Sequence, residues 1–119
     1  MLKNSMKGKM MSGTPVIGPF VNFPSPAMVE MMGWLGMDFV IIDCEHGITD
    51  YESAENMIRA AELSGISPIV RIGMNIQQHI QRFLDAGAQG VLIPLVNNKE
   101  DAKNVVHSTK YPPVGKRVF

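Results

Sequence analysis

Three chemically able side chains crowd one short stretch: Asp43, Glu45 and His46 follow directly on the apolar run Phe39-Val40-Ile41-Ile42. Arg71 lies at the end of another such run, Pro68-Ile69-Val70-Arg71-Ile72. An imidazole can move a proton near neutral pH, and a guanidinium offers a planar fork to an anion. Together with two carboxylates they suit a substrate that itself carries a carboxylate. Strict alternation along an extended chain would put Asp43 and Glu45 on one side and His46 on the other. His46 joins Asp43 only where the chain bends, and Gly47, permissive in φ, is the residue expected to allow it. Plainer roles stand beside these. A strand-end carboxylate can cap the next helix, a histidine there can be solvated, and an arginine can pair with any nearby acid. Cys44 sits between two carboxylates that would raise its pKa, so an inert buried thiol is expected over a nucleophile. His79 and His107 fall on helical stretches without chemical neighbours and read as surface residues. Asp43-x-Glu45-His46 matches no standard metal-ligand spacing. There is no dinucleotide-binding glycine fingerprint and no P-loop.

The elements that must position these residues alternate along the chain. Val16–Val21, Phe39–Ile42, Pro68–Ile72 and Val91–Val96 read as four strands, each followed by a helical pattern. Ser25 can cap the first of these helices, with Pro26 at its first position and Gly36 beyond its end. It carries Met28, Val29, Met31, Met32 and Leu35. The next starts near Thr49 or Asp50, offers Met57, Ile58, Ala61 and Leu63 to a core, and stops at Gly65. Asn75 and Gln78 form a capping-box pattern ahead of Ile80, Phe83 and Leu84, with Ile76 at the same spacing and Gly87 closing the segment. Asn98 opens a last helix through Ala102, Val105 and Val106. The uninterrupted second strand is expected to be covered on both faces. In α/β proteins of this kind the reactive side chains stand just past the C-terminal strand ends. Asn22, Asp43, Glu45, His46, Arg71, Pro94 and Asn97 occupy those positions. A closed (β/α)8 barrel takes about 250 residues, so four units are either half a barrel or a small open doubly wound sheet. Alternation alone does not separate the two.

Composition narrows the function classes. The chain has 119 residues, and its 11 Lys plus Arg balance 11 Asp plus Glu. Without a basic excess or stripe, phosphate-neutralising nucleic-acid binding is not expected. No apolar stretch approaches a membrane span, and no apolar segment follows Lys3, Lys7 and Lys9 as a secretory signal would require. One cysteine excludes an internal disulfide framework and a multi-cysteine zinc site. A single domain over residues 1–119, cytoplasmic, with residues 1–14 as an extension or short helix, is the expectation. The ten methionines read as adaptable core filler.

The segment Phe39-Val40-Ile41-Ile42-Asp43-Cys44-Glu45-His46 resembles a strand of the HpcH/HpaI family of class II 2-oxo acid aldolases, typified by 4-hydroxy-2-oxoheptanedioate cleavage. Pro68-Ile69-Val70-Arg71, Gly90-Val91-Leu92-Ile93-Pro94-Leu95-Val96 and Tyr111-Pro112-Pro113-Val114-Gly115-Lys116-Arg117 resemble three further family segments, in the same order. The resemblance runs from about Val16 to Arg117. It implies the (β/α)8 TIM-barrel fold, of which this chain covers the first four βα units. It also implies reversible cleavage of a 4-hydroxy-2-oxo acid to pyruvate and an aldehyde, with a divalent metal (Mg, Mn or Co) as Lewis acid. Position by position, His46 corresponds to the general base and Asp43 to the acid that orients it. Glu45 corresponds to a residue near metal-bound water, and Arg71 to the arginine that binds the oxo acid and steadies developing charge. The family's metal-binding Glu and Asp lie on later strands, beyond residue 119, so no metal ligand is assigned here and the chain alone is expected to be inactive. Cys44 replaces the usual Gly, and Val118 stands where the family tends to have Gly. Expected partners are a small 2-oxo acid, an aldehyde and further copies of the protein. Two alternatives are kept: a non-catalytic half-barrel binding or assembly module, and a relative of the citryl-coenzyme A lyase type.

Overall fold

A computed structural model describes residues 3–118. A short helix, α1 (Ser5–Met11), precedes β1 (Phe20–Val21), α2 (Pro26–Trp34), β2 (Phe39–Asp43), α3 (Tyr51–Ser64), β3 (Ser67–Arg71), α4 (Gln77–Asp85), β4 (Gly90–Leu92) and α5 (Lys99–Thr109). Local chemistry sets most helix starts. The side chains of Ser25, Asp50 and Asn98 accept bonds from the backbone N–H of Met28, Ser53 and Asp101 at 3.2, 2.9 and 2.9 Å, each satisfying one otherwise orphaned donor. Gly36, Gly65 and Gly87 follow three of the helices with positive φ, the left-handed exit that glycine takes without a Cβ penalty.

One cap does not form as expected. Ile76 occupies the N-cap of α4 without a side-chain bond. Asn75 is engaged elsewhere: its Nδ2 donates to Asp101 O (3.1 Å), and its Oδ1 accepts from Asn104 Nδ2 (2.8 Å). Long-range bonds that tie α5 to the loop before α4 have outcompeted a local one.

The four strands are all parallel, in the order β1-β2-β3-β4. Right-handed crossovers between consecutive neighbours put every intervening helix on the same side. Burial agrees. Val21, Val40, Ile42, Pro68, Val70 and Ile72 are buried on one face of the sheet, and all but Pro68 join Val29, Met57, Ile58, Ala61, Ile80 and Phe83 in one cluster. Phe20, Ile41 and Ile69 share a register row on the opposite face, with Leu92 beside Arg71 in the next. These residues are exposed or only half-buried. A doubly wound sheet carries helices on both faces and reverses strand order at a switch point. This one does neither, so the half-barrel reading holds and the doubly wound one falls. The expectation that β2 is covered on both faces also fails among the described residues, because helices reach only one.

Two strands are shorter than their apolar runs. Before Phe20 the chain still follows β2, with Asp38 and Ile41 donating to Ile17 O and Pro19 O, but Pro19 has no N–H to return. A Cβ on Gly18 would stand 2.1 Å from Phe39 O, so the approach depends on glycine there. At the other edge the chain leaves the sheet after Leu92, and Leu95 turns into the left-handed region with φ 55°. Leu63 was expected in the core and is 84% exposed; two residues past buried Ala61 is about 200° around a helix. After α5 the backbone returns along α4, where Gln77 and Gln81 donate to Lys116 O and Val118 O and Arg117 donates to Asp85. Residues 1 and 2 of the expected 1–14 extension lie outside the described residues. Among the described residues no helix is long and apolar enough to cross a membrane.

Candidate active site

The reactive rim begins where β2 ends. Asp43 is buried, and its Oδ1 accepts from the backbone N–H of both Glu45 and His46, each at 3.0 Å. Those two bonds fold the chain off its extended path, the same device by which Asp side chains initiate turns elsewhere. Sequence reasoning assigned the bend to the φ freedom of Gly47. The structure gives a different reason: Gly47 is not among the positive-φ glycines, but a Cβ there would lie 2.2 Å from Asp43 O and 2.7 Å from Asn22 O. Space, not torsion, calls for glycine. Ile48 N–H donates to Asn22 O at 3.3 Å, which pins the turn to the end of β1.

Arg71 is the register partner of Asp43 on the neighbouring strand. Its Nη1 lies 3.4 Å from Asp43 Oδ2 and its Nε 2.7 Å from Glu45 Oε2. The second contact is an ion pair that misses the line of the N–H, since Glu45 Oε2 is buried without an aligned hydrogen-bond donor. The guanidinium carbon stands 5.9 Å from the Phe20 ring centroid, at the outer reach of a cation–π contact. Arg71 is thus held by two acids and a ring, and it has more donors than these contacts use.

His46 is the exposed member, with 68% of its side chain in solvent and Nε2 3.6 Å from Glu45 Oε1. Asp43 therefore meets His46 at its backbone, while the imidazole turns toward Glu45. Asp43, Glu45, His46 and Arg71 come together as one cluster. Asn22 contributes only its carbonyl. Pro94 lies two residues past the end of β4, and Asn97 N–H donates to Asp101 at the start of α5.

Electrostatics separate the acids from the thiol. Burial pushes the Asp43 carboxyl upward, but the bonds from His46 and Glu45 N–H and the Arg71 charge outweigh it, holding Asp43 below the usual carboxylate range. Asp43 is a fixed anion. Burial pushes the Cys44 thiol up to about 12, with Asp43 and Asp50 adding to the effect. That is no nucleophile at neutral pH.

One residue was misread from sequence, and the role of another was missed. His79 has company: its ring lies 6.1 Å from that of Tyr51, and both line a cavity of about 250 Å³ with Cys44, Thr49 and Phe83 on the helix side of the turn. Phe20 was read only as strand. Its place next to buried Val21 in an extended run was the signal that set it on the opposite face, the one that carries Arg71. For a divalent metal the fit is poor, because no group of three or more His, Cys, Asp and Glu is placed to hold one among the described residues. Glu45 Oε2, the orphaned acceptor, is covered by Arg71.

The model of the HpcH/HpaI aldolase/citrate lyase family matches residues 17–118. A 4-hydroxy-2-oxo-heptane-1,7-dioate aldolase of Salmonella dublin is 34% identical over 98% of this chain and 44% of its own length. The crystal structure of an HpcH/HpaI aldolase from Desulfitobacterium hafniense DCB-2 superposes with a TM-score of 0.90 at 35% identity, over 95% of this chain and 44% of that one. The citrate synthase SbnG superposes at 0.92 with 38% identity, over 98% and 48%. The chain spans about half the length of the relatives it matches, as half of a (β/α)8 barrel should.

Proposed function

Because the chain belongs to the HpcH/HpaI aldolase/citrate lyase family, we propose that it supplies the first half of a carbon–carbon lyase site, one that reversibly cleaves a 4-hydroxy-2-oxo acid to pyruvate and an aldehyde. The observation that carries this reading is Arg71 braced by Asp43 and Glu45 on adjacent strand ends, with an imidazole beside them. In cleavage, a base takes the proton from the 4-hydroxyl as the C3–C4 bond breaks, and the electron pair passes to the oxo acid as an enolate. His46 is the base, being the only histidine in the cluster and open to solvent. Arg71 binds the oxo acid and offsets the charge that grows on it. Asp43 fixes the position of His46 through its backbone N–H. Glu45 holds Arg71 and stands beside the imidazole. The family's divalent metal, when bound, would act as a Lewis acid on the oxo acid and would be held by residues other than these.

Similarity to SbnG favours a second reading, in which the enolate adds to a carbonyl and a carbon–carbon bond is formed. Both use the same base and the same arginine. The test is a chimera joining residues 1–118 to the second half of the Salmonella dublin aldolase. It should exchange the methyl protons of pyruvate and release pyruvate from a 4-hydroxy-2-oxo acid. His46→Ala should abolish the exchange. Near-wild-type exchange in that variant removes His46 from the base role, and a folded chimera that does neither reaction defeats the lyase reading.

A further inference from the structure

Behind the reactive rim, on the helix side of the β2–α3 turn, lies the cavity of about 250 Å³ that Tyr51 and His79 share. Its walls come from that turn, the start of α3, the β3–α4 loop and α4, all internal to the chain. Asp43, Glu45, His46 and Arg71 are not among its lining residues. Ile72, Phe83 and Thr49 form a buried inner wall, and Asp50 and Met74 stand exposed at the mouth. A cavity of about 150 Å³ can hold benzene, so this one has room for a single ring with a substituent.

Three features of the lining select the occupant. The first is an orphan: Thr49 is only 6% exposed, and its Oγ1 is buried without a hydrogen-bond partner among the described residues. An unpaired buried hydroxyl costs free energy, which one hydrogen bond from a guest recovers. The second is an aromatic wall fixed beforehand. Phe83 stacks on Tyr51 with ring centroids 4.5 Å apart, His79 tilts against Tyr51 at 6.1 Å, and the Arg82 guanidinium carbon sits 3.7 Å over the Tyr51 ring. Walls held this way take a ring at little ordering cost, and the sulfurs of Cys44 and Met74 add polarisable contact at ring edges. The third is charge. Bonds from Ser53 hold the Asp50 carboxyl below its ordinary range, so it is an anion at neutral pH, and no Lys or Arg lines the cavity to offset it. An anionic guest is therefore opposed and a neutral one is not.

We propose that this cavity binds a neutral, single-ring aromatic alcohol of the phenol class, with the ring against Phe83, Tyr51 and Ile72 and the hydroxyl paired with Thr49 Oγ1. The proposal stands apart from the lyase reading, because no rim residue and no reaction enters it. Phenol is the probe, titrated into the isotope-labelled chain and followed by NMR. Saturable shifts are expected at Cys44, Thr49, Ile72 and Met74, with a Kd of about millimolar order for so small a ligand. Toluene, which keeps the ring and lacks the hydroxyl, should bind about five- to tenfold more weakly, and benzoate, which carries a charge, should give no saturable shift. Thr49→Val keeps the shape of the wall and should erase the preference for phenol over toluene while toluene still binds. The comparison of the three probes in the parent chain decides the proposal even where that variant fails to fold by circular dichroism. Phenol shifts that never saturate, or that centre on residues outside the cavity, overturn it. So does benzoate binding as tightly as phenol, toluene matching phenol in the parent, or a preference for phenol that survives in folded Thr49→Val.

Discussion

At the scale of single residues, the site is a cation held in place by anions. Arg71 has Asp43 and Glu45 on two of its nitrogens, an arrangement that uses the planar fork and not merely a positive charge. Lysine would keep the charge and lose the fork. In the chimeric barrel, Arg71→Lys is expected to lower kcat/KM by the equivalent of about 2–4 kcal/mol of transition-state stabilisation. A loss of only a few-fold would make Arg71 a structural tie between β2 and β3. Asp43 gives a pH signature. Its carboxyl is held below the usual range, so the folded state binds its proton less readily than the unfolded one. Its contribution to stability is complete above about pH 4, the ordinary carboxylate value, and is lost as pH falls through the lowered value. Asp38 and Asp50 are lowered too, by bonds from Lys9 and from Ser53 N–H, and they act in the same window. Asp43→Asn should therefore flatten part of the fall in urea midpoint between pH 5 and pH 2, as read by parallel denaturation series. An unchanged slope would mean that the ties to Glu45, His46 and Arg71 carry no linkage.

At the scale of elements, burial decides which side chains matter. Met57 and Leu63 lie on the same helix and both read as core from their spacing, yet Met57 is fully buried and Leu63 faces solvent. Met57→Ala should cost about 2–5 kcal/mol of unfolding free energy, while Leu63→Ala should fall within about 0.5 kcal/mol. Equal losses would show that Leu63 is covered in solution. The same contrast explains what was legible in the sequence. The caps at Ser25, Asp50 and Asn98 and the exits at Gly36, Gly65 and Gly87 are local matters, settled by a residue and its next few neighbours, and they read correctly. Asn75 did not, because its partners Asp101 and Asn104 lie 26 and 29 residues away. Strand lengths failed for a related reason: an apolar run shows what can pair, and the neighbouring chain decides how much does. The cluster of Asp43, Glu45, His46 and Arg71 was legible because parallel strands in sequential order bring consecutive strand ends to one rim. That Asp43 meets His46 at the backbone was not, since a turn of four residues is set by one side chain's hydrogen bonds and not by any periodicity.

At the scale of the whole molecule, catalysis asks for more than a correct rim. Charge development at a reacting carbonyl is stabilised well only where fixed dipoles and ions act in a site closed to bulk water. Here His46 stands largely in solvent, and the face that carries Asp43 and Arg71 also carries exposed Phe20 and Leu92. At an open surface the attraction between Arg71 and a developing anion is that of a high-dielectric medium, several-fold weaker than in a closed site. The 119-residue chain by itself should therefore be silent for pyruvate release from a 4-hydroxy-2-oxo acid, with Mg, Mn or Co added at millimolar concentration, under conditions in which the chimeric barrel turns over. A coupled lactate dehydrogenase assay on both proteins, purified side by side, makes the comparison direct. Metal-dependent turnover by the chain alone, abolished by Arg71→Ala, would show that four βα units already build a working site and that closure by a different second half is not what activates it.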